Sequence, residues 1–259
     1  MRRSVLVVLL VLAAGASALA QRGGYRYTNF SEPANPRYDG RFMFNRLKYS
    51  VGAGGYYYRG LPAWAHGEPY AEENLLKIME SISMLRPHVD EGVVMGFEDP
   101  EVFKFPVAYM TEASYWVMGD QEAPKVRDYL EKGGFIIFDD FRSPDFRRGG
   151  GGLDNLRFNL QKAIPGAELI PMDVKHPIFH CFFEINSFDI VPQAYDASRP
   201  SFLGLFEGND PNKRLMAIIN YNTDIANYWE FSGRGIYIVD ESNEAFKLGV
   251  NYVMYGITH

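Results

Sequence analysis

Where apolar runs stop in this chain, carboxylates begin. FIIF (residues 135–138) runs into Asp139-Asp140, VAYM (107–110) into Thr111-Glu112, and GVVMGF (92–97) into Glu98-Asp99. MAII (216–219) ends in Asn220-Tyr221-Asn222-Thr223-Asp224. Ligands of open parallel sheets bind outside the carboxyl ends of the strands, where the connecting loops diverge. If the four runs are parallel strands, Asp99, Glu112, Asp139, Asp140, Asn222 and Asp224 share one crest of the sheet. Tyr109 in VAYM and Arg46 in FMFNRLKY join them as candidate ligand-binding residues. Two acids in unlike surroundings can divide acid and base roles. Clustered carboxylates also suit a hard cation.

A structural role competes at each position. Strand ends need polar residues to cap the helices that follow, and Asp99 before Pro100 and Glu101 has the form of an N-cap with proline at the first helical position. A divalent metal would need Asp139, Asp140, Asp224 and His176 to converge. His176 and His180 are four apart, but Pro177 and the apolar run after it argue against one helical face. Otherwise no cofactor is expected. There is no G-x-S-x-G, and neither Ser143 nor Ser187 sits in a strand–turn–helix elbow. Cys181 in HCFFEI is the one cysteine and reads as an inert core residue. The run Arg147 to Gly152 could hold an anion but lacks the GK[ST] ending of a P-loop, and reads as a linker. Tyr56, Tyr57, Tyr58 and Trp64 are either a stacking platform or the anchors of a long loop.

The elements that must position these residues follow from periodicity. FMFNRLKY (42–49) alternates as a first strand, and residues 52–70 form a long loop. Leu75, Met79, Ile82 and Leu85 recur at helical spacing before Pro87. Asp120 can cap a second helix through Val126, Tyr129 and Leu130, with Gly133 at its end, and FIIF follows at once. Continuous apolar runs separated by helices are the pattern of a buried, mainly parallel sheet. Further on, a helix is expected over Asn155–Ala163, strands over 182–190, 202–206, 214–220 and 235–239, and a last helix on Ala245, Leu248, Gly249, Tyr252 and Val253.

Length and charge narrow the classes. Arg2 and Arg3, the apolar run Val5–Ala14 and Ala18-Leu19-Ala20 before Gln21 read as a secretory signal peptide over 1–20. Residues 21–41 then read as an extended leader, ordered if its tyrosines dock, and 42–259 as a single α/β domain. The absence of a cysteine after the cut argues against a lipoprotein anchor, and no later segment is apolar enough to span a membrane. Export would deliver the mature chain to the periplasm or beyond. Removing Arg2 and Arg3 takes the formal charge from −6 to −8, which argues against nucleic acid or an anionic membrane surface as partner.

Six blocks carry a resemblance: FMFNRLKY, EDPEVFKFPVAYMTE, VRDYLEKGGFIIFDDF, HPIF, RLMAIINYNTDIANYWE and GVNYVMYGITH. In this order, over roughly 42–259, they look like the bacterial family catalogued as domain of unknown function 4159. The resemblance implies a class I glutamine amidotransferase-like fold, a flavodoxin-like three-layer α/β sandwich with a mainly parallel central sheet. Where true amidotransferases carry a cysteine, this chain holds Asp139, Asp140 and Phe141. Relatives often show a W…DYP block, whereas here Trp64 is followed by Gly67-Glu68-Pro69-Tyr70. Relatives also occur near MoxR-type ATPases and von Willebrand factor A proteins, which implies envelope partners. The expectation is thus a non-catalytic ligand- or partner-binding module of the cell envelope, with a hydrolase using the crest carboxylates as the alternative.

Overall fold

Five parallel strands, most of them buried on both faces, form the centre of the molecule. The computed structural model describes residues 32, 34–57, 60–141, 152–189 and 199–259. The strands are β1 (Asn45–Leu47), β2 (Val93–Met95), β3 (Val107–Thr111), β4 (Phe135–Phe141), β5 (Ile170–Pro171), β6 (Ser201–Phe206) and β7 (Leu215–Tyr221). They form one sheet in the order β2-β1-β3-β4-β7-β6-β5. β2, β1, β3, β4 and β7 run parallel to one another, and β6 runs antiparallel to both β7 and β5. The four strand ends with acids after them therefore lie along one edge.

Helices α1 (Tyr70–Ile82), α2 (Ala123–Glu131), α3 (Gly152–Ala163), α4 (Ile225–Glu230) and α5 (Val239–Thr258) cover the two faces. Alternation within each strand sends side chains to opposite layers. Ala108, Met110, Ile136 and Phe138 pack with Val126 and Leu130 of α2 and Leu156 and Leu160 of α3. Tyr109, Phe135 and Ile137 pack with Leu75 and Met79 of α1, Trp229 of α4 and Leu248 and Tyr252 of α5. The result is the three-layer α/β sandwich expected of a flavodoxin-like chain. Close approach fixes two glycines of α5. A Cβ at Gly249 would stand 2.4 Å from the Trp229 ring, and one at Gly256 2.6 Å from Val107.

Several boundaries differ from expectation. The first helix stops at Ile82, short of Pro87, because the Ser83 hydroxyl donates to the Met79 carbonyl and accepts from the Leu85 amide. The second begins at Ala123, and Asp120 pairs with Lys162 at 2.6 Å instead of capping it. Residues 182–189 are turns and bends, not a strand, while residue 190 lies outside the described residues. There the Asn251 side chain takes the Phe183 amide at 2.7 Å and its carbonyl at 2.8 Å, standing in for a strand neighbour. Residues 235–238 form no strand either, and α5 begins at Val239. Cys181 lies at the surface and not in the core. Its Sγ donates to the Asn251 carbonyl, and burial of the sulfur pushes the thiol up, away from thiolate chemistry.

From the described part of the leader, Asn35 brackets Val94 of edge strand β2 with bonds of 2.8 and 2.9 Å to its amide and carbonyl. Tyr38 packs edge-on against Phe105. Among the described residues, no helix is long and apolar enough to cross a membrane.

Candidate functional site

At the crest, the backbone itself is unusual. Glu112 (φ 51°) after β3, Asp140 (φ 54°) in β4 and Asn222 (φ 58°) after β7 all adopt the left-handed region. A side chain with a Cβ pays for that conformation, about 1–2 kcal/mol away from Asn and Gly. The only other such residue among the described ones is Asn209, in a turn beside Gly208. In β4 the register against β7 shifts between Phe138 and Phe141, so the two aspartates occupy a bulge.

The bulge sends the two acids to different partners. Asp139 faces the layer of α4 and α5. It accepts from Asn220 Nδ2 (3.0 Å), Tyr109 Oη (3.0 Å) and the amides of Ala226 (3.1 Å) and Ile225 (3.4 Å). Asn220 Oδ1 in turn accepts from Tyr252 Oη at 3.0 Å. The Asp139 carboxylate thus closes the first turn of α4, and Asp224 accepts from the Asn227 amide as that helix's own cap.

Asp140 turns toward the loop over the crest. His66 Nδ1 lies 3.1 Å from Asp140 Oδ2 and 3.2 Å from Glu112 Oε1. Tyr57 Oη donates to Glu112 Oε2, and the Tyr57 ring stacks on His66 at 5.5 Å and 19°. Below, the Tyr49 hydroxyl lies 2.9 Å from both the Thr111 and Glu112 carbonyls, pinning the left-handed turn. The ligating atoms of His66, Glu112 and Asp140 all fall within 4.8 Å of one another.

His66 is held from beneath by Arg46. The guanidinium Nη1 donates to the carbonyls of Trp64 (3.0 Å) and His66 (2.7 Å), and Nε pairs with Glu72 Oε1 at 2.5 Å. Its Cζ lies 5.1 Å from the centre of the Tyr109 ring. The short helical turn Ala63–Ala65 is buried with Trp64, which makes the loop a packed structure with His66 at its end.

Electrostatics follow from this crowding. Burial pushes the Glu112 carboxyl up to about 7; the Asp140 charge adds to that and the His66 bond opposes it. Burial likewise takes Asp139 up to about 7 against the bond from Asn220. Asp224 is raised by burial, then by the Asp140 and Asp139 charges. Hydrogen bonds to Asp140 and then Glu112 hold the His66 imidazolium up to about 11. Around neutral pH the site is an imidazolium lodged between carboxyl groups that compete for a shared positive charge.

Of the expected residues, Asp139, Asp140, Glu112, Asp224, Tyr109 and Arg46 belong to this edge. Asn222 stands beside them, and its Oδ1 and the Thr223 hydroxyl are buried without a hydrogen-bond partner among the described residues. His176 does not join them. It packs on Phe206, opposite the start of β7 at the far end of the sheet, and its Nδ1 accepts from the Ile178 amide. A metal set containing His176 is therefore excluded by position. Asp99 caps a short helical turn, accepting from the Glu101 amide at 2.9 Å. The glycine run before Gly152, with Arg147 and Arg148, and also Tyr58, lie outside the described residues. His66 and Tyr57 carry no sequence signal beyond the long aromatic loop that contains them.

No curated protein matches this chain. A family model does match, over residues 44–257, which include His66, Glu112, Asp139, Asp140 and Asp224, and the chain belongs to that family, the domain of unknown function DUF4159.

Proposed function

We propose that this chain is an exported, non-catalytic binding module of the cell envelope, and that its crest receives a positively charged group of a ligand or partner protein. One observation carries this reading. Glu112, Asp139 and Asp140 are buried at one edge, and His66, set against Glu112 and Asp140, is the one basic side chain in ion-pair contact with any of them among the described residues. Buried carboxyls raised toward neutrality gain most from a further cation. A Lys or Arg side chain of a partner supplies one, and the family resemblance directs the search to MoxR-type ATPase and von Willebrand factor A systems. The test is calorimetric titration of the mature chain with oligo-lysine and oligo-arginine peptides. Saturable binding is expected, weakened at least about tenfold by Asp140→Asn. Equal affinity for wild type and variant would sink the reading, as would turnover of any substrate in a panel of esters, amides, phosphates and glycosides.

A second reading, a metal-dependent hydrolase, is favoured by the convergence of the His66, Glu112 and Asp140 ligand atoms within 4.8 Å. Imidazole with two carboxylates suits zinc, manganese or iron. Ligands about 2.1 Å from a shared ion stand roughly 3.0–3.4 Å apart, which matches the distances from His66 Nδ1. Its test is elemental analysis of protein purified without chelator. Stoichiometric metal, lost in Glu112→Gln, supports this reading over the first.

A further inference from the structure

We propose that the cleft between β1, α1 and the edge strand β2 is a second binding site, for the α-ammonium end of an amino acid or peptide. The cleft has a volume of about 330 Å³. Phe44, Leu76 and Val93 form its apolar wall, and Arg46 and Glu72 reach it from inside the protein. That volume suits a ligand at the small end of the range for such sites.

The polar groups define the ligand. Arg46 and Glu72 are only 2 % and 5 % exposed. A guanidinium offers Nε and Nη2 on one edge, matched to both oxygens of a carboxylate. Here Nε meets Oε1, but Arg46 Nη2 and Glu72 Oε2 are each buried without a partner. Buried donors and acceptors left in that state cost free energy that a bound group would return. Nη2 calls for an acceptor and Oε2 for a donor.

Charge chooses among groups that offer both. Glu68 also lines the cleft and makes no ion pair among the described residues; burial raises its carboxyl, and the nearby Glu72 charge adds to that. At the rim, where Asp90 and Glu91 also stand, Glu73 already pairs with Lys77. One guanidinium thus faces the free oxygen of Glu72 as well as the unpaired Glu68 carboxyl, and the ligand must bring positive charge. An α-ammonium beside a carbonyl or carboxylate oxygen provides donor, charge and acceptor within three bonds of each other. Its side chain then lies on Phe44 and Leu76.

The site shares Arg46 with the loop that carries His66, but its carboxyl groups, Glu68 and Glu72, are not crest acids, so it does not depend on the crest binding a cation. Calorimetry on the mature chain uses four probes: leucine, leucyl-glycine, N-acetylleucine and isopentylamine. Leucine or leucyl-glycine should saturate one site, and whichever is tighter identifies a free amino acid or a peptide end as the source. N-acetylleucine, without the charge, and isopentylamine, without the acceptor, should bind at least about tenfold more weakly. Glu72→Gln should abolish binding and Asp140→Asn should leave it intact. If Glu72→Gln fails to fold, Gly92→Leu replaces it. A Cβ at Gly92 meets only the Phe44 carbonyl, at 3.8 Å, so the leucine can fill the cleft without disturbing the strand. Absence of heat from both α-ammonium probes at millimolar concentration, N-acetylleucine matching leucine, or full affinity in Gly92→Leu would each overturn the proposal.

Discussion

Asp139 and Asp140 are adjacent and on one strand, yet they belong to different regions of the molecule. Asp139 is fully buried under α4, where Asn220, Tyr109 and two backbone amides answer it. Asp140, in a left-handed conformation on the other side of the bulge, meets His66 and, at 3.4 Å, the Thr111 hydroxyl. One acid completes the fold, and the other is held against its own backbone preference beneath a loop. Strain of that kind persists where surrounding structure over-determines it, and it concentrates at sites that bind or react. An acidic cluster therefore divides by what satisfies each member, not by distance in the chain.

The largest expected effect breaks the comparison on the Asp139 side. Asp139→Ala orphans the Asn220 amide, the Tyr109 hydroxyl and the first amides of α4 together. It should lower stability by about 3 kcal/mol, read as a drop in the urea midpoint. A loss under about 1 kcal/mol would mean that α4 does not depend on this carboxylate. Asp140→Asn should behave oppositely. It removes one His66 partner, but it also removes the charge that raises Glu112 and Asp224. Its urea midpoint should stay within about 1 kcal/mol of wild type while binding of cationic peptide is lost. If both variants unfold alike, the division between anchor and site is wrong.

Acidity sharpens the comparison. Glu112 and Asp139 have folded values raised to about 7, so the stability they contribute is present in acid and lost as pH rises through about 7. His66 is raised to about 11, so its share is complete below the ordinary imidazole value and lost as pH passes about 11. Both act in one direction. The carboxylates held low, Asp39, Asp120 and Asp210, act in the opposite sense but titrate below their ordinary value. Between pH 5 and 8 the melting temperature should therefore fall as pH rises, by about 5 °C. Glu112→Gln should flatten part of that slope. A melting temperature that rises over this window would show that the crest carboxyls ionise freely.

The sheet and its acidic edge were legible because both have short-range signatures. Buried parallel strands read as unbroken apolar runs, and FIIF, VAYM and MAII stop at their acids. The apolar stretches over 182–190 and 235–239 misled because apolar composition alone does not make a strand pair. Phe183 hydrogen-bonds to the Asn251 side chain instead of a strand, and Ile236 and Ile238 are 57 % and 66 % exposed. His66 was hidden for another reason. It reaches Asp140 because Arg46, twenty residues earlier, holds its carbonyl, and such a contact leaves no period in the sequence. The proline, glycine and tryptophan around it marked only a long packed loop. His176, which the sequence offered as a possible metal partner of the crest acids, lies at the far end of the sheet.

The smallest effects test whether position alone separates site from scaffold. Asp99 follows edge strand β2 much as the crest acids follow or end central strands, but its carboxylate accepts from the Glu101 amide. Asp99→Ala should cost about 1 kcal/mol, the usual value of a cap, and leave cationic peptide binding unchanged. His176→Ala trades an aromatic contact with Phe206 and Tyr255 for a small gap and should be equally silent in binding. If either substitution weakened binding as strongly as Asp140→Asn, the charged group would be sensing the field of the whole acidic chain. A peptide held only by that diffuse field loses affinity steeply with added salt. One lodged against buried Glu112 and Asp140 keeps most of it, because pairs removed from water are screened much less. The salt dependence of the Asp99→Ala protein, set beside that of Asp140→Asn, therefore distinguishes a built pocket from a merely acidic surface.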